Sequence, residues 1–172
     1  IDGADAVMLS AETSAGKYPV QVIQVIGKIL TNIKHANIIY DKQLRAERTS
    51  DTFIGDAICY NAARISSELE AKAIIGMTFS GYTGFMLSSY RPKADIYIFT
   101  ENKDLLNSLS ICWGVRAFYY DKFVDTDTSI HDVIRILRDN KLVGPKDLVV
   151  NVGTMPLTHK GRANMVKVTM VH

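Results

Sequence analysis

The sequence predicts an α/β fold: three layers, α/β/α, around a mostly parallel five-stranded sheet with one antiparallel edge strand. Three observations predict it. Four short apolar runs between residues 73 and 153 have the length and continuity of strands covered on both faces, and helical stretches separate them. A fifth run, NMVKVTMV, alternates apolar with polar residues and suits an edge strand with one wet face. Only the loop TMPLTHKGRA separates it from the fourth, too short for a helical crossover, so the last strand turns back antiparallel.

The elements follow in order. DAVMLSAETSAGKYP, Asp5 to Pro19, reads as an apolar strand rising into Ser-Ala-Glu-Thr, a relaxed turn, and a proline suited to the first turn of a helix. That helix runs to about Ile39, with Val22, Ile23, Val25, Ile26, Ile29, Leu30 and Ile33 at the helical repeat. YDKQLRAERTSD shows no strand pattern and reads as a short helix or linker, which puts a domain boundary near Asn37: residues 1–37, then 38–172. A second amphipathic helix follows Asp51 or Thr52, with Ile54, Ala57, Ile58, Ala62, Ile65 and Leu69 on one stripe. Ala73 to Thr78 is the first buried strand; SGYTGFMLSSY starts a helix that Arg91-Pro92 stops. Asp95 to Thr100 is a strand, NKDLLNSLSICW a helix, and Gly114 to Tyr120 a strand. Ser129 and Asp132 form a capping box for a helix with Ile130, Val133, Ile134 and Leu137 inward. Asp147 to Gly153 is the fourth strand; in the last, Val166, Val168 and Met170 alternate with Lys167 and Thr169.

The 172 residues suffice for one well-buried core with a small appendage. A net charge of +2, from 20 basic and 18 acidic residues without a basic tract, gives no electrostatic case for nucleic acid or an anionic membrane. The apolar stretches are strand-sized, so no bilayer span is expected, and no signal peptide precedes the first motif. Cys59 and Cys112 sit in apolar settings and read as reduced core thiols, which points to the cytoplasm. His35, His131, His159 and His172 have no metal-ligand spacing, so no zinc site is indicated.

Two stretches carry candidate chemistry. Ser10 and Glu12, with Thr13 beside them, stand at a strand tip, where alternation would put the hydroxyl and the carboxylate on one side. Such a pair can organise a proton relay through water. The competing reading is a turn that merely starts a helix. A hydrolase or transferase with Ser10 as nucleophile is disfavoured, because no histidine lies near it in sequence. In TFSGYTG, Ser80, Gly81 and Thr83 follow a buried strand and open a helix, so N–H and hydroxyl donors meet the positive helix end. The loop between the final strands offers Thr158, His159, Lys160, Gly161 and Arg162 for a second anionic group. The competing reading is a capped helix and a basic surface loop.

DGADAVMLSAETSAGKYP resembles the late barrel motif of pyruvate kinases, a strand with Asp-Ala-x-Met-Leu-Ser-Gly-Glu-Thr followed by Gly-x-Tyr-Pro. AKAIIGMTFSGYTGFMLSSYRPKADIYIFT, LSICWGV and VGTMPLTHKGRANMVKV are similar to that family's C-terminal domain, in the family's order. The resemblance implies a TIM-barrel remnant, the last strand, loop and helix, over 1–37, and a regulatory and assembly domain over 38–172. It implies a parent enzyme that transfers phosphate from phosphoenolpyruvate to ADP. Magnesium and potassium would be bound by residues upstream of Ile1, with none in this chain, which alone would be inactive.

By the same resemblance Ser10 and Glu12 are catalytic, while Thr78, Ser80, Gly81, Thr83, Lys160, Gly161 and Arg162 would bind a sugar-phosphate or other phosphorylated effector. Lys17 is a solvated turn residue. Ala11 replaces the family's glycine and would cost about 1 kcal/mol or more in a left-handed conformation. Phe79 replaces a basic residue of effector-responsive relatives and argues against strong fructose-1,6-bisphosphate binding. Family members are commonly homotetramers; the last strand's edge and the helix after Asp51 are the assembly candidates. The alternative function is a free-standing noncatalytic phosphate-ligand binding or assembly module.

Overall fold

The computed structural model describes residues 3–43, 46–122, 125–156 and 161–172. The five apolar runs form strands β1 (Ala73–Met77), β2 (Asp95–Thr100), β3 (Val115–Tyr119), β4 (Leu148–Gly153) and β5 (Met165–Met170). They make one sheet in the order β3-β2-β1-β4-β5, parallel except for the antiparallel β4–β5 pair, in which Val150 stands opposite Val168. The three-layer α/β/α expectation is met. Helices α3 (Phe53–Glu68), α4 (Tyr82–Ser89) and α5 (Lys103–Ser110) share a core with Ile74, Ile96, Ile98 and Val150 on one face. Helix α6 (Thr126–Asp139) covers Ile75, Tyr97, Phe99 and Val149 on the other.

This order places the site. The chain steps outward from β1 to β3 through α4 and α5, then returns through α6 on the opposite face to β4. Its winding therefore reverses between β1 and β4. In an open α/β sheet a crevice opens at the carboxyl ends of the strands where the winding reverses, because the flanking connections leave in opposite directions.

Several local expectations change. In α3 the buried stripe is Gly55, Asp56, Cys59, Ala62, Ala63 and Ser66, and Ile54 is 65% exposed. Small side chains let this helix lie close to the sheet, so it presents its narrow face inward, with Ile58 and Ile65 only flanking the core. Helix α6 starts before the expected capping box: the Asp125 carboxylate accepts from the Thr128 N–H at 2.9 Å. An acceptor at that position satisfies an orphan donor and meets the helix dipole, so the helix begins there and carries Ser129 into its buried interior. In β5 only Val166 of the expected apolar face packs against the core, while Val168 is 42% exposed. On the opposite face Lys167 reaches Asp127 at 2.7 Å, and Thr169 accepts from the Asn151 amide.

The chain start also differs. Residues 4–10 join no ladder among the described residues and form an extended arm. A lone extended segment has no partner to complete a ladder, and the five sheet strands pair with one another. Helices α1 (Ala11–Ser14) and α2 (Pro19–Lys34) follow, and a 3-10 turn spans Asn37–Ile39. The helical repeat of α2 is present, yet Val20, Ile23, Val25, Ile29 and Leu30 remain exposed, as does Met8 at 91%.

Candidate functional site

The first candidate site is the tip of the arm. Ser10 is the N-cap of α1, and Glu12 lies inside its first turn, so the two are not related by strand alternation. The Ser10 carbonyl accepts from the Thr13 and Ser14 N–H groups and from the Thr13 hydroxyl at 3.0 to 3.1 Å. No side chain caps this helix start. Ser10 and Glu12 are both exposed. Ala11 is helical and does not occupy left-handed space, so the methyl group in place of glycine carries no backbone strain. Gly16 is required by close approach: a Cβ there would stand 2.3 Å from the Glu12 carbonyl oxygen.

The second candidate site lies at the β1/β4 reversal. Register pairs Gly76 with Val152, and a threonine directly follows each strand, Thr78 after β1 and Thr154 after β4. Both line one crevice with Phe79, Ser80, Tyr82, Thr83, Gly161 and Arg162. The structure therefore brings the TFSGYTG turn and the Gly161–Arg162 segment together. Lys160, Thr158 and His159 lie outside the described residues.

The turn is built by short-range bonds. Thr78 is buried, and its hydroxyl accepts from the Gly81 N–H at 3.1 Å. Gly81 takes φ +83, the left-handed conformation that reverses the chain into α4. A Cβ at Gly81 would meet Leu105 and Phe85 at 3.1 Å, so space and torsion both select glycine. Ser80 is exposed, with its hydroxyl 3.4 Å from the Tyr82 N–H. The N-cap residue of α4, Gly81, has no side chain to cap the helix, so the positive helix end lies at the crevice that Tyr82 and Thr83 line. Thr83 is buried and packs its methyl group over Gly76.

The opposite wall comes from the β4–β5 connection. The Thr154 hydroxyl lies 3.1 Å from the Gly161 and Arg162 carbonyls, which pins that segment to the end of β4. Gly55 of α3 allows close approach here, since a Cβ would stand 3.3 Å from the Arg162 Cβ. A carboxylate stands behind the crevice. Asp56, in the first turn of α3, accepts from Tyr82 Oη and from Thr52 Oγ1, each at 2.6 Å. Burial, then the hydrogen bond to Asp56, pushes the Tyr82 phenol up. The site thus offers donors from a helix start and one arginine, with the buried carboxylate tied off by two hydroxyls.

Sequence reasoning missed Asp56, Tyr82 and Thr154. The repeated pattern of a buried strand ending in threonine, in GMT and VGT, was the available signal for Thr154. The spacing of Thr52 and Asp56 on adjoining turns was a signal for their bond.

The sequence has relatives among known proteins. Residues 56–169 match the family model described as pyruvate kinase, alpha/beta domain. The chain belongs to the pyruvate kinase family. It is 33% identical to the pyruvate kinase of Lactobacillus delbrueckii subsp. bulgaricus over 180 aligned positions, covering 99% of this chain and 29% of that protein. Identity is 34% both to that of Clostridium acetobutylicum, with 99% of this chain and 36% of that protein covered, and to that of Geobacillus stearothermophilus, with 99% and 29%. The chain thus spans about a third of the length of these pyruvate kinases.

Proposed function

We propose that this chain is the effector-binding and assembly region of a pyruvate kinase, a cytoplasmic glycolytic enzyme that passes phosphate from phosphoenolpyruvate to ADP. The observation that carries the regulatory part is the crevice between β1 and β4, where Ser80, Tyr82, Thr83 and Arg162 converge beside an uncapped helix start. Backbone donors and a guanidinium recognise a phosphate through charge-assisted hydrogen bonds. Phe79 stands in the same wall and adds no charge, which favours a monophosphate over a bisphosphate effector.

In the reaction of the complete enzyme, Ser10 and Glu12 serve the protonation of the enolate carbon. The Ser10 hydroxyl gives its proton to the enolate carbon and regains one from a water held by the Glu12 carboxylate. Bulk solvent re-protonates that water, so one solvent proton is consumed per pyruvate formed. The family's magnesium and potassium supply charge neutralisation at the transferred phosphate. Among the described residues no group of three or more acidic, histidine or cysteine side chains is arranged to hold a metal ion. No helix among the described residues is long and apolar enough to cross a membrane.

Assembly with further copies into a tetramer uses the edge of β5 and helix α3. Val168, Met170 and Ile54 expose apolar surface there. The second reading, a free-standing phosphate-binding module, is favoured by one observation: the crevice residues all lie between Met77 and Arg162, apart from the arm.

Calorimetric titration with a panel of sugar monophosphates and bisphosphates tests the proposal. Saturable binding that weakens at least about tenfold in Arg162→Gln and in Ser80→Ala supports it, since each removes a phosphate contact. Absence of binding across the panel contradicts the effector role.

A further inference from the structure

The arm that carries Ser10 and Glu12 joins no ladder of the sheet, and its side-chain bonds to the α/β unit converge on one place. Arg91 follows Tyr90, the C-cap of α4, and its side chain is 6% exposed. Its Nη1 donates to Asp5 Oδ1 at 2.5 Å, and its Nη2 to the Gly3 carbonyl at 2.7 Å. The guanidinium carbon lies 5.0 Å from the centroid of the Trp113 ring, and the Trp113 backbone N–H donates to the same Asp5 oxygen at 3.3 Å. Residues separated by 86 to 108 positions in sequence therefore meet at one carboxylate.

Arg91 is itself held from behind. Its carbonyl accepts from the Asp41 N–H, and the Tyr90 carbonyl accepts from Lys42 N–H, both at 3.0 Å. Its backbone takes φ +52, an uncommon conformation for a residue with a side chain, which turns the chain sharply off the end of α4. Tyr40 packs edge-on against Trp113 with centroids 5.8 Å apart. The linker, α4 and the loop before β3 thus fix the guanidinium, and the arm is the segment that comes to it.

A fork is needed here. Two parallel jobs, one bond to a carboxylate and one to a carbonyl two residues away, with a flat face on an indole, match a guanidinium and not an ammonium. Burying that charge carries a desolvation cost that the α/β unit alone would have no reason to bear. The partner it is buried for is the arm.

We infer that Arg91, backed by Trp113, is a positioning residue for the reacting pair: it seats Asp5, and so sets where Ser10 and Glu12 stand, five and seven residues further along. This rests on the reading of Ser10 and Glu12 as the proton-delivering pair. The same residue closes the end of α4, whose start lines the phosphate crevice. One short helix therefore lies between the proposed effector turn and the seat of the arm.

The test has two readouts. Trp113 is the chain's one tryptophan, so its fluorescence reports on the seat. In this chain, Arg91→Lys and Asp5→Ala are each expected to raise acrylamide quenching of Trp113 by about twofold or more, as a locally opened segment does. The double variant should quench no further than the single ones, because both remove one contact. Asp5→Ala lies on the arm, so it keeps the test available if the Arg91 variant fails to fold. Unchanged quenching in Asp5→Ala overturns the seat.

In the full-length enzyme, Arg91→Lys is expected to lower kcat for pyruvate formation by about tenfold or more while KM for phosphoenolpyruvate stays within about twofold. A shifted arm misplaces the proton donor and leaves substrate binding intact. An active enzyme whose kcat is untouched by Arg91→Lys overturns the positioning role. A full-length wild-type protein that forms no pyruvate overturns the reading of Ser10 and Glu12 and, with it, the catalytic part of this inference; the quenching result then judges the seat alone.

Discussion

Tyr82 donates its phenolic hydroxyl to the Asp56 carboxylate at 2.6 Å, tying the first residue of α4 to the first turn of α3. The bond joins the helix that lines the β1/β4 crevice to a helix that leaves Ile54 exposed. Asp56 is buried, and its other oxygen is taken by Thr52. The carboxylate is thus hydrogen-bonded at both oxygens, while Arg162 brings a positive charge to the crevice wall.

Removing that bond has a defined cost. Tyr82→Phe strips one donor from a buried carboxylate and should destabilise the chain by about 1–2 kcal/mol, read as a lower urea midpoint at unchanged slope. An unchanged midpoint would mean that water replaces the phenol without loss.

Gly81 tests the geometry of the turn. Gly81→Ala places a methyl group at φ +83 and 3.1 Å from Leu105 and Phe85. The expected loss is about 1–2 kcal/mol of stability, with phosphate affinity reduced alongside, because the same torsion aims the donors of α4. Thermal denaturation with and without phosphate separates the two effects.

Cys59 sets an alkaline limit. Burial, and then the nearby Asp56 charge, pushes its thiol from 9.0 up to about 12. The folded chain keeps this proton while the unfolded chain loses it above pH 9, so stability falls as pH rises from 9 toward about 12 and is fully present below 9. At pH 10 this group alone accounts for about 1 kcal/mol. Cys59→Ala should flatten that part of the pH–stability curve; equal slopes in both chains would rule the assignment out.

Much of the sheet was legible because β1, β2 and β4 are continuous apolar runs and the loop before β5 is too short for a crossover. What was not legible depended on partners distant in sequence. Ile54 looks like a core residue by hydrophobicity, but Cys59, Ala62 and Ala63 allow a closer approach and take the buried face. Ser129 looks like a cap until Asp125 is seen to accept from Thr128. The turn between β1 and α4 could be read from TFSGYTG, but Asp56 and Thr154 reach it only through the fold. Arg91 reads in sequence as a helix stop; its grip on Asp5 spans 86 residues.

The most direct test of the central claim, a phosphate seat at the β1/β4 reversal, is an amide NMR titration of this chain with inorganic phosphate. The expected result is saturable shifts in the N–H signals of Ser80, Tyr82, Thr83 and Gly84, lost in Arg162→Gln. Shifts confined to residues away from the α4 start, or none at all, would contradict it.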